Sequence, residues 1–152
     1  MIGERVQVRV LRLPHGEGLE APAYATQGSA GMDVRAAVRE PLAIAPGQVA
    51  LVPTGLSLEV PPGYELQVRP RSGLALRSRV TLLNSPGTID SDYRGELQVI
   101  LCNLGDSDFV VNRGDRIAQL VLASVARAEV VEVTEVAGSG RGEGGFGHTG
   151  LS

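Results

Sequence analysis

Cysteine, lysine and aromatic side chains are scarce or missing in this sequence, and the shortages exclude several classes of protein. The chain of 152 residues has one cysteine, Cys102, so it can form neither an internal disulfide nor a cysteine-cluster metal site. All fourteen basic residues are arginine, which excludes the lysine of a nucleotide-binding P-loop. Cys102 lies in an apolar alternation, and we predict that it is a buried, inert thiol.

Long apolar runs and an excess of positive charge are missing as well. No apolar stretch approaches the roughly eighteen residues that a membrane-spanning helix needs, so we expect no membrane association. The amino terminus has no apolar signal segment, and the predicted location is the cytoplasm. A formal net charge of −3 argues against nucleic acid as a partner, because a polyanion is bound by a basic surface.

The length and the composition fit one globular domain, with 43% hydrophobic and 20% charged residues. Short β-branched runs predict strands, and turns rich in proline and glycine separate these runs, which are residues 6–10, 49–53, 56–60, 65–69, 96–103, 117–122 and 130–136. Residues 73–79 form the one predicted helix, of about two turns. The pattern predicts an all-β fold, a sandwich or barrel of short strands.

Thirteen residues near the carboxy terminus, 138–150, include seven glycines. Glycine loses the most backbone entropy on ordering, so this segment is not expected to fold by itself. We predict two parts, a β domain at 1–137 and a glycine-rich arm at 138–152. Arg141 suits a phosphate and Phe146 suits the flat face of a base, which indicates that a nucleotide orders the arm. A flexible tail without a function is the alternative.

The segment 70–73 joins the end of a predicted strand to the start of the predicted helix. It places Arg71, the Ser72 hydroxyl and free backbone N–H groups, including that of Gly73, at the positive end of the helix. Such an arrangement suits phosphate oxygens. Ser72 as an ordinary N-cap beside a solvated arginine is an equally good interpretation.

The segment 84–98 is predicted to be a hairpin whose loop, 87–95, crowds two acids, an aromatic ring and an arginine together. Tyr93 is one of only five aromatic residues in the chain. Its place in a loop favours a role in binding, while a ring that covers a turn is the alternative. Asp90 is a candidate for chemistry or, equally, a carboxylate that caps the turn.

Five segments, taken in order, form a specific combination: AGMDVRAA at 30–37, PRSGLA at 70–75, NSPGTIDSDYRGELQV at 84–99, RGDRIAQL at 113–120 and RGEGGFGHTG at 141–150. Together they resemble the five motifs of the homotrimeric dUTP pyrophosphatases, the dUTPases. The resemblance implies a dUTPase-like β-barrel or jelly roll and a homotrimer with sites shared between subunits. It also implies hydrolysis of dUTP to dUMP and pyrophosphate with Mg²⁺, which keeps uracil out of DNA and supplies dUMP for thymidylate synthesis.

The resemblance assigns roles to residues at the matching positions. Asp90 is the implied catalytic carboxylate, which positions the attacking water at the α-phosphorus. Asp33 and Gln119 are implied to approach Mg²⁺ through water, with the ion held mainly by the triphosphate. The implied substrate-binding residues are Arg71, Ser72, Gly73, Asn84, Gly87, Thr88, Ile89, Tyr93, Gln98, Gln119, Arg141, Phe146, Gly147 and Thr149.

Within that set, the resemblance divides the nucleotide among three groups of residues. The uracil is implied to be read by the Asn84 side chain and by backbone groups near Gly87, Ile89 and Gln98, while Tyr93 packs under the deoxyribose. In the arm, Phe146 is implied to stack on the uracil while Arg141 and Thr149 reach the γ-phosphate, so that the arm closes as a lid. His148, also in the arm, is assigned no acid–base role.

Two other functions stay open at this point. A dCTP deaminase shares the β-fold and the triphosphate, but the spacing of Asp90 and Tyr93 and the complete arm favour hydrolysis. A regulatory module on the same scaffold would bind partner proteins and turn over nothing, and the presence of both Asp90 and the arm argues against it.

Overall fold

The computed structural model describes residues 5–150, so the first four residues of the predicted β domain and the last two of the predicted arm lie outside the described range. The described residues form eleven strands: β1 (Arg9–Arg12), β2 (Ala23–Tyr24), β3 (Met32–Arg35), β4 (Leu42–Ile44), β5 (Val49–Glu59), β6 (Tyr64–Arg69), β7 (Val80–Leu82), β8 (Gly87–Ile89), β9 (Glu96–Asn103), β10 (Phe109–Val111) and β11 (Arg116–Ser124). They also form one α-helix, α1 (Ser72–Ser78), and a 3-10 helix, Pro14–Gly16. No helix in this described range is long and apolar enough to cross a membrane.

The strands are arranged in three sheets. One sheet has the order β1-β5-β9-β7, a second has the order β2-β3-β11-β6-β8, and β10 pairs with β4. All the pairings are antiparallel. The predicted all-β class is confirmed, although residues 5–150 form separate sheets rather than one closed barrel.

The alternation of apolar and polar residues decides which face of each strand is buried. In β6, Leu66 and Val68 are buried in the core, while Gln67 is half-buried and Arg69 is exposed. Burying such an apolar side chain stabilises the fold by about 1.5–3 kcal/mol. A shift of one residue would exchange the two faces, so burial fixes the register of the strand. The polar face of the five-stranded sheet is thereby fixed as well.

Most predicted strands are confirmed, with ends shifted by at most three residues, and β9 has the predicted bounds. The strands predicted at 49–53 and 56–60 are a single strand, β5. The reason is Gly55, which takes a φ of 67° where the register against β9 shifts, so the chain continues instead of ending there. The predicted helix is confirmed as α1, and Cys102 is buried as predicted.

The strand predicted at 130–136 is wrong. These residues have no regular structure, and the valines at 130, 131, 133 and 136 are all exposed. A β-branched sequence needs a neighbouring strand that supplies hydrogen bonds and packing. No strand in the described part of the chain pairs with these residues.

The hairpin predicted over 84–98 is also wrong as a pairing. β8 pairs with β6 in the five-stranded sheet, whereas β9 pairs with β5 and β7 in the four-stranded sheet. The loop at residues 90–95 therefore crosses from one sheet to the other. This crossing leaves a space between β8 and β9 that a hairpin ladder would have closed.

Candidate active site

A cluster of charged residues lies where β3 and β11 approach the start of α1. Asp33 accepts hydrogen bonds on Oδ1 from Arg71 Nε at 2.9 Å and on Oδ2 from Arg116 Nη1 at 3.1 Å. Gln119 is paired with Asp33 in the sheet register and donates from Nε2 to the carbonyl oxygen of Pro70 at 3.1 Å. Two guanidinium groups on one carboxylate leave a net positive charge, which suits phosphate oxygens. We call these residues the arginine cluster.

The start of α1 supports the arginine cluster. Arg71 is the N-cap residue, with φ −97° and ψ 129°, and no side chain caps the helix. The interpretation of Ser72 as the N-cap is therefore wrong: Ser72 occupies the first helical position and is exposed. The N–H groups of the first turn, including that of Gly73, have no partner within a helix. The Ser72 hydroxyl and these N–H groups therefore lie beside the Arg71 guanidinium.

A cavity of about 240 Å³ lies between β8 and β9, where the crossing loop separates the two sheets. Its lining consists of Leu51, Thr88, Ile89, Asp90, Tyr93, Glu96, Gln98 and Ile100. Five of these residues carry predicted catalytic or substrate-binding roles. Apolar walls with a few convergent polar groups are typical of small-molecule sites. Asp90 also borders a second cavity, of about 530 Å³, on the other side of the loop.

Tyr93 is held at the edge of this cavity by its own loop. Its hydroxyl donates to the backbone carbonyl oxygen of Glu96 at 2.9 Å. Its ring lies against Gly95, where a Cβ atom would come within 2.5 Å of the ring carbon Cζ. The residue is 44% exposed. The ring covers the turn, as one interpretation predicts, and it also lines the cavity, where its role in binding stays a prediction.

Gly87 is the first residue of β8 and Asn84 precedes it by three positions, and neither lines this cavity. Gly87 is buried, and a Cβ atom there would come 3.1 Å from Asn84 Nδ2 and 3.3 Å from Val68 Cβ. This close packing brings the Asn84 side chain against the Gly87 backbone. The two residues are thus adjacent to each other.

The arginine cluster and Asp90 belong to opposite ends of β6. Ile89, the residue before Asp90, is paired with Leu66, while Arg71 follows the last residue of β6 by two positions. At roughly 3.3 Å per residue, these positions are about 15–20 Å apart along the strand. Within one chain, the arginine cluster is therefore well separated from Asp90, the candidate catalytic carboxylate.

The arm at 138–150 folds only on itself. All its hydrogen bonds within the described range are internal, including the one that Arg141 Nε donates to the carbonyl oxygen of Gly144 at 2.6 Å. Phe146 is fully exposed, and Gly147 and Thr149 are exposed too. No arm residue lines either cavity beside Asp90. The structure does not bring the arm residues to the other predicted site residues of the same chain.

Sequence reasoning missed three residues near these sites. Arg116 pairs with Asp33, and its signal was a place in the same short segment as Gln119. Glu96 lines the cavity, and its signal was a charge at the start of an apolar strand. His15, which contacts Glu96 across 81 positions of sequence, gave no signal because only the fold brings the two together.

Comparisons with known proteins match most of this chain to one family. The model of the dUTPase family matches residues 17–150. A deoxyuridine 5'-triphosphate nucleotidohydrolase of Rhizobium etli is 58% identical over 149 residues, which cover 97% of this chain and 96% of the relative. A protein of the same name from Mesorhizobium japonicum is 61% identical over 145 residues, covering 94% and 90%.

Solved structures share the fold at lower sequence identity. A mutant dUTPase of Staphylococcus bacteriophage 80alpha, solved with dUpNHpp, has a TM-score of 0.86 at 24% identity and covers 95% of this chain and 99% of its own. A mutant dUTPase of phage phi11 of S. aureus, described with a structural Mg(II) ion, has a TM-score of 0.76 at 22% identity, covering 85% and 97%.

Proposed function

The chain belongs to the dUTPase family, and from that premise we propose that it is a dUTP diphosphatase, which hydrolyses dUTP to dUMP and pyrophosphate. The observation that carries this proposal is the cavity between β8 and β9, at which Asp90, Tyr93 and Gln98 converge. The reaction lowers the concentration of dUTP, which keeps uracil out of DNA, and it supplies dUMP for thymidylate synthesis.

The experiment that tests this function supplies the purified protein with dUTP or dCTP and Mg²⁺. We expect pyrophosphate and dUMP from dUTP, and no ammonia from dCTP. Ammonia release from dCTP would make the protein a deaminase. A protein that binds dUTP and releases neither product would be a binding module.

The residues of the arginine cluster fit an Mg²⁺-bound triphosphate. Mg²⁺ prefers oxygen ligands and keeps several of its waters, so it needs no histidine or cysteine cluster. Asp33 presents a carboxylate, and Gln119, whose Nε2 is bound to Pro70, keeps Oε1 for a water. We propose that these two residues hold the hydrated ion through water. When bound, the ion neutralises charge on the triphosphate oxygens.

Asp90 is the proposed catalytic carboxylate. It is exposed at the end of β8, between the two cavities, where a water and a phosphate can reach it. An aspartate carboxylate is a weak base toward water, so its main contribution is to position the nucleophile in line with the α-phosphorus and to accept its proton late.

Base and sugar recognition are assigned to the walls of the cavity and to the start of β8. We propose that the uracil is read by Asn84, Gly87, Thr88, Ile89 and Gln98. Cytosine reverses a donor and an acceptor on the edge of the base, and the unpaired buried groups that result give a strong rejection. Tyr93 packs under the deoxyribose, where a 2′-hydroxyl would clash with the ring or lose its water.

The arm completes the proposed site as a lid. Phe146 stacks on the uracil, and Arg141 and Thr149 bind the γ-phosphate, with Gly147 allowing the backbone to approach closely. Arg71, with the Ser72 hydroxyl and the Gly73 N–H, neutralises the charge that develops on the phosphate oxygens. Closure over the nucleotide expels water and orders a segment whose hydrogen bonds, within residues 138–150, are all internal.

We propose that a homotrimer assembles the site, with each site shared between subunits. The separation of Arg71 from Asp90 along β6 supports this, because the two must act on one triphosphate. The internal hydrogen bonding of the arm supports it too, since the arm is free to reach a neighbouring subunit. Closed rotational symmetry then makes three equivalent sites.

Mixed trimers test the shared site. Asp90→Asn and Arg71→Ala homotrimers are each expected to be inactive, and unfolding them together in equal amounts and refolding should restore activity. If the two residues come from different subunits, about a quarter of the sites in random trimers receive both native side chains. Each variant refolded alone is the control. Mixed trimers without activity would place Asp90 and Arg71 of one site on the same chain.

Three further parts of the proposal concern the domain division, the location and the partners. The division into a domain at 1–137 and an arm at 138–152 agrees with the absence of strands from residues 125–150 of the described chain. A cytoplasmic location suits a nucleotide substrate and a free, buried Cys102. The predicted partners are dUTP and copies of the same chain, without nucleic acid or membrane.

A further inference from the structure

We infer that His15 and Glu96 form a positioning pair that holds the Tyr93 ring in place and thereby sets the preference for deoxyribonucleotides over ribonucleotides. This inference rests on the proposed function. It gives a role to residues 5–29, called here the amino-terminal segment, which lie outside the five motifs. His15 is a positioning residue, because it acts on the substrate only through Glu96 and Tyr93.

The Glu96 side chain joins three separate parts of the fold. His15 Nε2 and Glu96 Oε1 are 2.6 Å apart, and the two side chains are only 24% and 21% exposed. The same Oε1 accepts the backbone N–H of Gly55 at 2.8 Å. Hydrogen bonds to a carboxylate are shorter and stronger than neutral ones. The carboxylate therefore ties β9 to the 3-10 helix and to the irregular stretch of β5 around Gly55.

The same stretch of β5 also holds the backbone on either side of Glu96. Thr54 donates from Oγ1 to the carbonyl oxygen of Leu97 at 2.6 Å, and Ser57 donates from Oγ to the carbonyl oxygen of Arg94 at 2.8 Å. Residues 94–97, where the crossing loop meets β9, are thus fixed by side chains at three points. Glu96 supplies the only one of these three that involves the amino-terminal segment.

Tyr93 depends on this anchored backbone for its orientation. Its hydroxyl donates to the carbonyl oxygen of Glu96 at 2.9 Å, and its ring lies against Gly95. A displacement of Glu96 therefore moves the hydrogen-bond acceptor that holds the ring. Because Glu96 also lines the cavity, such a displacement changes the space beside the ring, where the sugar is proposed to lie.

His15 is itself held by its backbone, so its ring is presented from a fixed support. Arg113 donates from Nη1 to the carbonyl oxygen of His15 and from Nη2 to that of Glu17, both at 2.8 Å. Gly16 packs against Gly55 so closely that a Cβ atom on Gly16 would come 2.5 Å from the Gly55 carbonyl oxygen. These contacts fix the backbone from which the His15 side chain reaches Glu96.

The test measures kcat and KM for dUTP and UTP in the full-length protein. His15→Leu removes the N–H donor, and we expect the ratio of kcat/KM for dUTP to that for UTP to fall about tenfold, as for the loss of one hydrogen bond to a charged group. The change should appear mainly in KM for dUTP. His15→Gln keeps an N–H donor at a similar reach and should return the ratio to within about twofold of the wild type.

Glu20→Gln is the matched control. Glu20 belongs to the same segment as His15, but it forms an ion pair with Arg35 and does not contact Glu96. Its side chain is 76% exposed. Loss of the Glu20–Arg35 ion pair tests whether loosening this segment in general alters the ratio of kcat/KM for dUTP to that for UTP. We expect no change in that ratio. Thermal unfolding and molecular mass are measured for every variant, so that loss of folded protein is separated from loss of preference.

Each outcome decides between the two levels of the proposal. In His15→Leu, an unchanged ratio overturns the positioning pair while the proposed function stands, whether kcat/KM is retained for both nucleotides or falls equally for both. A wild-type protein that leaves dUTP intact overturns the proposed function, and the pair with it. If His15→Leu does not fold, Glu96→Gln replaces it, since it keeps an oxygen acceptor for Gly55 but loses the charge. An unchanged ratio in Glu96→Gln also overturns the pair.

Discussion

Replacing Asp90 with asparagine is expected to lower kcat for dUTP by about 10³- to 10⁴-fold, at the upper end of what a positioned proton acceptor contributes. The amide keeps the size and the polarity of the side chain, so the cavity between β8 and β9 keeps its shape. It cannot accept a proton from the attacking water, and it orients that water poorly. The affinity for dUpNHpp should stay within about threefold of the wild type. The interaction that is lost is made in the transition state and not with the bound analogue.

Asp92→Asn is the matched control for this prediction. Asp92 is an exposed carboxylate two residues further along the same loop, and it borders the second cavity but not the one between β8 and β9. Its kcat should stay within about threefold of the wild type, as for most exposed substitutions. Steady-state kinetics and calorimetric titration with the analogue measure the two quantities. An unchanged kcat in Asp90→Asn would remove Asp90 from the mechanism, and a large loss of analogue binding would make it a binding residue.

The sequence predicts single strands well where one face is buried. In β6 and β9, apolar residues alternate with polar ones, and both strands form close to their predicted bounds. The alternation of apolar and polar residues does not predict which strand lies next to a given strand. For that reason β8 and β9 were expected to pair with each other, although their partners lie in different sheets. At 130–136 the pattern suggests a strand, but the described chain supplies no neighbour for it.

The candidate site could be predicted in part for a similar reason. The motif residues Thr88, Asp90, Tyr93 and Gln98 lie close in sequence around one loop, and the structure places them around one cavity. The partners of those residues are contributed by distant segments. Arg116 on Asp33 and His15 on Glu96 are pairs separated by 83 and 81 positions, which composition and local spacing do not connect.

Ending the chain after Ala137 is expected to lower kcat/KM for dUTP by about 10²- to 10³-fold, because the lid would no longer exclude water or bring Arg141 to the triphosphate. The fold should survive, since the hydrogen bonds of residues 138–150 lie inside that segment. We therefore expect the thermal midpoint to stay within about 3 °C and the oligomeric mass to change only by the missing residues.

The control for the truncation is His148→Ala in the full-length chain. His148 lies in the arm without an assigned contact to the nucleotide, and the variant should keep kcat/KM within about threefold of the wild type. Arg141→Ala tests whether the arm acts by binding the phosphate. This variant should reproduce most of the loss of kcat/KM seen in the truncated protein. Full activity in the truncated protein would remove the lid from the mechanism and leave Phe146 and Arg141 without a role. A truncated protein that no longer assembles would make the arm a part of the subunit contact, because the β domain alone would then be insufficient for the oligomer.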